Sequence, residues 1–315
     1  MSSNNVDTLN KRKGISVVVP VYNDEPGLRT TIACLVSQDY PRTDYEVLIV
    51  DNGSDDGTYA LALQLQSEYP GVVFTLREDR IRSSYAARNL GINEASGEIL
   101  CFLDADVVVD HDYLKRIQEL FDKNDVEYVG VNVELLTEGH GIIPVYEMMQ
   151  GFPVAVYIRE LHFAPTCCLT VKRCLLDRVG LFDARLESGG DLEFGQRVYA
   201  LGVQQAYHGE LTVYHPARET WRQLFNKSRR VSRGIAQLFY YLPDRYRGHF
   251  WSALLFSWWP RNPFKVRATA RRKDIRITFL ETIILSTVRV PLGACGLPAL
   301  LREYWQLRGS WIESP

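Results

Sequence analysis

Through the first third of the chain, apolar residues come in short runs, and each run ends on polar or charged residues. Ile15–Val21, Tyr45–Val50, Val72–Leu76 and Glu98–Leu103 are four such runs, rich in β-branched and aromatic residues and too short for helices. They read as buried strands. Between them, Pro26–Gln38, Thr58–Tyr69 and Ser83–Ala95 space their apolar positions as amphipathic helices do. Three strand–helix alternations in succession predict an α/β chain with a mainly parallel, Rossmann-like sheet flanked by helices. Further on, the pattern predicts a helix over Tyr113–Asp122, strands over Glu127–Leu135, Thr166–Val171 and Leu211–Tyr214, and helices over Lys172–Val179 and Glu219–Tyr241. Residues 137–163 mix periods and carry Gly139, Gly141, Pro144, Gly151 and Pro153, which suits a flexible wall.

Length and composition narrow the picture. A chain of 315 residues with 46% hydrophobic and 23% charged residues can bury a large core, which excludes a disordered or fibrous protein. The division expected is a polar tail to residue 14, a catalytic domain over 15–218 and a helical region over 219–315. The net charge of −2 hides an asymmetry: residues 1–220 hold 19 Lys/Arg against 33 Asp/Glu, whereas 221–276 hold 14 against 2. Six cysteines without Cys-x-x-Cys spacing fit reduced thiols in a cytoplasmic protein. The polar N-terminus carries Lys11-Arg12-Lys13 and no apolar core, so no secretory signal is expected ahead of the fold.

In a doubly wound sheet, ligands bind outside the carboxyl ends of the strands. Tyr22 and Asn23, Asp51, and Asp104 with Asp106 all fall there. The last two are separated by one residue at a strand exit, where alternation turns them to the same side, close enough to share a hard cation; turn chemistry is the plainer role open to such a pair. Neither a Gly-x-Gly-x-x-Gly after the first strand nor a P-loop is present, so bound phosphates would need a metal and arginines. Arg82 and Arg88 flank the third helix and are available, or are simply a solvated helix face.

Val19-Pro20-Val21-Tyr22-Asn23, Val50-Asp51-Asn52-Gly53-Ser54-Asp55-Asp56-Gly57-Thr58, Ala87-Arg88-Asn89-Leu90-Gly91-Ile92 and Phe102-Leu103-Asp104-Ala105-Asp106 together resemble the ordered motifs of the family 2 glycosyltransferases, which have the GT-A fold. The resemblance covers about the first 110 residues of the chain. It implies that Pro20, Val21, Tyr22, Asn23 and Asp51 hold the nucleoside, that Asp104 and Ala105 lie on the donor, with Arg82 or Arg88 on its diphosphate, and that Asp106 binds a divalent cation, Mn2+ or Mg2+. Gly189-Gly190-Asp191-Leu192-Glu193 is similar to the family's acceptor-side element, in which an Asp is the general base. Asp191 takes that role here, or else only caps the following helix. Gly190 stands where the family has Glu, and Glu187 and Glu193 are the candidates to replace it. His215, directly after a strand, is a further candidate metal ligand, its plainer role being a local hydrogen bond.

From Trp221 onward a basic band alternates with apolar, aromatic stretches at 250–259 and 275–301. Charges and prolines interrupt the latter, so neither reads as a clean membrane span. The combination suits an interfacial element at an anionic membrane, or a helical subdomain packed on the sheet; no nucleic-acid motif accompanies it. The expectation is therefore an inverting, metal-dependent hexosyltransferase at the cytoplasmic face of the cell membrane. It would move a sugar from a nucleotide diphosphate sugar, a UDP-sugar favoured, to a hydroxyl of a glycan or lipid-linked glycan. A nucleotidyltransferase using the same carboxylates and a non-catalytic scaffold docking on a membrane are the alternatives.

Overall fold

β1 (Ile15–Val21) is buried along its whole length, and its Ile-Ser-Val-Val-Val-Pro-Val sequence has no polar face to give to water. In the computed structural model, which describes residues 14–246 and 260–309, this strand is central to an eight-stranded sheet. The tail to residue 13 and the apolar run 250–259 lie outside the described residues. β2 (Tyr45–Asp51) and β4 (Ile99–Phe102) flank β1 in parallel, and β3 (Val73–Arg77) adds to β2. The intervening helices are α1 (Glu25–Val36), α2 (Thr58–Glu68) and α3 (Ser84–Glu94). The predicted alternation is thus present, with boundaries differing by one or two residues. Register sets the carboxyl edge: Val21 lies opposite Asp51, and Asp51 opposite Arg77.

The other half of the sheet is antiparallel, so the sheet as a whole is mixed, in the order β3-β2-β1-β4-β7-β6-β8-β5. Its members are β5 (Val108–Val109), β6 (Tyr128–Leu136), β7 (Leu169–Lys172) and β8 (Gln205–Pro216), with α4 (Tyr113–Lys123) after β5. β8 runs twelve residues where only Leu211–Tyr214 was expected. Its first half is largely half-buried or exposed and lacks the apolar alternation that marks a strand, so ladder pairing alone declares it. Thr166–Cys168 is a 3-10 turn before β7, and the 137–163 stretch contains α5 (Ile142–Gln150).

Two details lock the parallel half. Glu46 is buried, and its carboxylate accepts from the Ser16 hydroxyl (2.6 Å), the Ser96 amide (2.6 Å) and the Ser96 hydroxyl (2.8 Å). These neutral donors satisfy a charge that would otherwise be costly to bury. Gly91 of α3 packs so closely on β1 that an added Cβ would come within 2.5 Å of Val18.

The chain divides into two compact units: residues 1–134, 153–184 and 191–215 form one, and 135–152, 185–190 and 216–315 the other. In the first unit, α6 (Arg173–Val179) follows β7, and α7 (Gly190–Ala200) begins at the boundary. The second unit is helical: α5, α8 (Trp221–Tyr241), α9 (Pro263–Arg272), α10 (Phe279–Thr287) and α11 (Arg289–Gly309). Its core gathers Ile143, Tyr146 and Met149 of α5, Leu224 of α8, Val266 and Ala270 of α9, Leu285 of α10 and Val288. Capping boxes start α8 at Thr220 with Gln223 and α10 at Thr278 with Glu281.

Candidate active site

Asp104 and Asp106 leave the carboxyl end of β4 in a tight turn, closed by the Val107 amide donating to the Asp104 carbonyl. Ala105 between them is buried. β5 then pairs antiparallel with β8, Val108 opposite Tyr214 and Val109 opposite Val213. That register continues to His215 beside Val107, one residue from Asp106. One ligand atom each from Asp104, Asp106 and His215 lies within 4.8 Å of the others, and His215 Nε2 is 3.6 Å from Asp106 Oδ1. Two carboxylates and an imidazole form a donor set that fits Mn2+ well, and Mg2+ with more retained water. Burial pushes the Asp106 carboxyl up, and nearby Asp104 and Asp24 add to this, while His215 opposes it.

On the other side of the carboxyl edge, Asp51 is completely buried. Its oxygens accept from the Ser54 amide at 3.2–3.3 Å and face Arg77 Nε at 3.6 Å. Asn23 sits in left-handed backbone (φ 50°) and ties the loop after β1 to the loop after β2. Its amide N–H donates to Ser54 Oγ (3.0 Å), its side-chain NH2 to Asp55 (2.7 Å), and its side-chain oxygen accepts from the Asp55 amide (3.0 Å). Tyr22 is 47% exposed, and the Arg82 guanidinium hovers 5.9 Å from its ring centre. Pro20 and Val21, which the resemblance assigns to the nucleoside along with Tyr22 and Asn23, are the last, buried residues of β1, opposite Val50 and Asp51. Their side chains support the edge, and Tyr22 and Asn23 form it.

α3 links this cluster to α7. Arg88 is 3% exposed, and its Nη2 donates to Asp104 Oδ1 at 2.5 Å, so this arginine belongs to the carboxylate cluster rather than to a solvated face. Next to it, Asn89 clamps Phe182 in both directions, donating to its carbonyl at 2.8 Å and accepting from its amide at 3.1 Å. Three residues before Arg88, and so on the same face of the helix, the Tyr85 hydroxyl donates to Asp191 Oδ1 at 3.4 Å. Asp191 lies one residue inside α7, not at its N-cap, and accepts the Leu192 amide at 3.0 Å. Burial raises its pKa above the ordinary carboxylate value. The Leu192 amide, the Arg88 charge and the Tyr85 hydroxyl pull the other way.

Each candidate replacement for Glu at position 190 is held by an arginine. Glu193 is buried and held by Arg197 Nε at 2.8 Å, and Glu187 is gripped by both ends of the Arg233 guanidinium. Both carboxylates stabilise structure. Tyr85, Arg77 and Ser54 were missed from the sequence. The signals for the first two were there: Tyr85 shares a helix face with Arg88, and Arg77 ends the strand next to the one that ends in Asp51.

Residues 16–164 match the family described as Glycosyl transferase family 2. Over 296 residues the chain is 33% identical to Glycosyltransferase AglE of Haloferax volcanii, a match spanning 92% of this chain and 97% of that one. It is 25% identical over 254 residues to chondroitin synthase of Pasteurella multocida, a match spanning 65% of this chain and 26% of that one. Among solved structures, mannosyltransferase PcManGT from Pyrobaculum calidifontis, in complex with GDP-Man and Mn2+, superposes with a TM-score of 0.58 at 18% identity over 97% of this chain and 77% of its own. TarS 1–349 of S. aureus, in complex with UDP-GlcNAc, superposes with a TM-score of 0.54 at 17% identity over 95% and 92%.

Proposed function

The chain belongs to glycosyltransferase family 2, has the GT-A fold and transfers a sugar from a nucleotide sugar; on that premise we propose that it works by inversion, with Asp191 as general base and a divalent cation on the donor diphosphate. The observation that carries this reading is the convergence of Asp104, Asp106 and His215 within 4.8 Å at the carboxyl edge of the sheet.

Asp106 and His215 would hold the cation, with Asp104 beside them, and the cation would supply Lewis-acid stabilisation of the leaving diphosphate. Arg88 orients Asp104 through a short charge-assisted bond. Arg82, exposed and near the Tyr22 ring, would meet the diphosphate. Tyr22 offers a ring face to the base, and Asn23 keeps the two nucleoside loops together, with Asp51 fixed beneath them. Asp191 takes the proton from the acceptor hydroxyl as the new glycosidic bond forms and the nucleoside diphosphate leaves. One direct displacement inverts the anomeric carbon, and its raised pKa makes Asp191 a better proton acceptor than an ordinary carboxylate.

The proposed donor is a UDP-sugar, and the acceptor a glycan or lipid-linked glycan at the cytoplasmic face of a membrane. The solved relatives named above hold a guanosine and a uridine donor, so base preference is the first thing to test. A nucleotidyltransferase would leave Asp191 and its helix without a task, and would release pyrophosphate instead of a nucleoside diphosphate.

Calorimetry across UDP- and GDP-sugars, with Mn2+ and with chelator, tests the assignment. One donor is expected to bind in Mn2+ and to lose its affinity in chelator and in Asp106→Ala. Equal binding with and without metal, or an unaltered Asp106→Ala, removes the cation from the proposal.

A further inference from the structure

Phe279–Gly309 is a 31-residue helical run, made of α10, Val288 and α11, long and apolar enough to cross a membrane. One of its faces is packed. Thr282, Leu285, Ser286, Val288, Gly293, Gly296 and Leu300 are buried. The Ser228 hydroxyl of α8 donates to the Leu292 carbonyl (2.8 Å), and Gln237 of α8 to Glu303 (2.9 Å). At Gly296 the helices come so close that an added Cβ would meet Ser232 Oγ at 2.4 Å.

The outer face is a single stripe. Ile283, Thr287, Val290, Ala294, Pro298, Leu301 and Trp305 are all exposed, at steps of 4, 3, 4, 4, 3 and 4 residues, and only Thr287 among them is polar. Phe279 (71% exposed) and Leu280 (65%) extend it at one end, and Trp305 (63%) closes the other. From Ile283 to Trp305 the stripe runs about 33 Å at the rise of an α-helix. An uncovered apolar line of this length marks an interaction surface. The segment that contains it, residues 261–309, carries ten Lys/Arg and three Asp/Glu. Arg302 and Arg308 border the Trp305 end, and the exposed Lys265, Arg267, Arg271, Arg272 and Lys273 lie on α9.

Charge selects the partner. An apolar stripe bordered by cations complements an anionic lipid surface, where the ring of Trp305 suits the headgroup boundary and the guanidinium groups meet phosphate. A spanning arrangement is excluded by α8. That helix is bonded to α11 toward both ends and carries Arg222, Arg229, Arg230 and Arg233, which are costly in hydrocarbon. We propose that α10–α11 lies along the surface of an anionic bilayer, with the Ile283–Trp305 stripe sunk into the headgroup boundary and α8 holding it from behind.

Co-sedimentation of the full chain with vesicles of phosphatidylcholine alone or mixed with phosphatidylglycerol tests this without any sugar donor, so it stands or falls independently of the transfer reaction. The chain is expected to sediment with the anionic vesicles, to be released by high salt or alkaline carbonate, and to bind neutral vesicles weakly. The variant Ile283→Gln/Leu301→Gln/Trp305→Gln should keep its circular dichroism and unfolding midpoint while losing roughly tenfold or more in vesicle affinity. Lys265→Gln/Arg267→Gln/Arg302→Gln/Arg308→Gln should lose affinity for anionic vesicles alone. Three results would each overturn the proposal: equal binding by the stripe variant, retention after carbonate, or a dimer in the absence of lipid that the stripe variant abolishes while vesicle binding is nil.

Discussion

Asp106 and Asp191 at the edge of the sheet and Glu147 and Glu187 of the helical unit are treated in opposite ways. Glu147 of α5 is buried, and two cations close on it: Arg218 at 2.7 Å and Lys227 at 3.4 Å. Glu187 is likewise gripped by both ends of one guanidinium. At the sheet edge, the buried guanidinium of Arg88 bonds Asp104, and its charge also acts on Asp191 without bonding it. Burial there raises the pKa of Asp106 and of Asp191. A carboxylate matched by cations stabilises a structure and has little left to offer a ligand. One left short of positive charge is completed by what binds, whether a cation or an acceptor proton.

Asp191→Asn breaks the comparison most sharply. Removing the proton acceptor while keeping the shape should cut transfer by about two to four orders of magnitude and leave donor affinity intact, read by coupled assay and calorimetry. On the other side of the contrast, Glu147→Ala leaves Arg218 and Lys227 facing each other without a counter-charge, and should cost about 3 kcal/mol in urea unfolding. Gly234→Ala probes the same unit through shape alone. A Cβ there would come within 2.4 Å of the Ser188 carbonyl, an overpacking cost of about 1–3 kcal/mol visible as a lowered unfolding midpoint.

The finest test is a pH profile. Because burial raises the Asp191 pKa, transfer should fall away on acidification at a higher pH than an ordinary carboxylate would give, as the base becomes protonated. Tyr85 stabilises the ionised form, so Tyr85→Phe should move this acid limb to still higher pH, with a loss of only a few-fold at the optimum. An unmoved limb would leave Tyr85 a packing residue against Phe182, whose ring centre lies 5.8 Å from its own.

Much of the parallel half was legible in the sequence. Its strands are local apolar runs bounded by turn residues, and the side on which a strand ends follows from connectivity. Hence the sequence alone places Asp51, Asp104 and Asp106 at one edge. The antiparallel half was not. β8 is half-buried or exposed for much of its length, so its sequence lacks the alternation that marks a strand, and the role of Arg88 depended on which face of α3 turned inward.

The sequence by itself determined the alternating strands and helices, the carboxylates at the strand ends and the basic, aromatic character of the C-terminal region, because each is written in residues close together in the chain. Only the tertiary structure decided that His215 meets Asp106, that Arg88 bonds Asp104, that Glu187 and Glu193 are taken up by arginines, and that one stripe of α10–α11 is left uncovered. Each of these depends on register and on which helix face another element covers. Those choices are made by packing between segments that can lie more than a hundred residues apart, and no local pattern carries them.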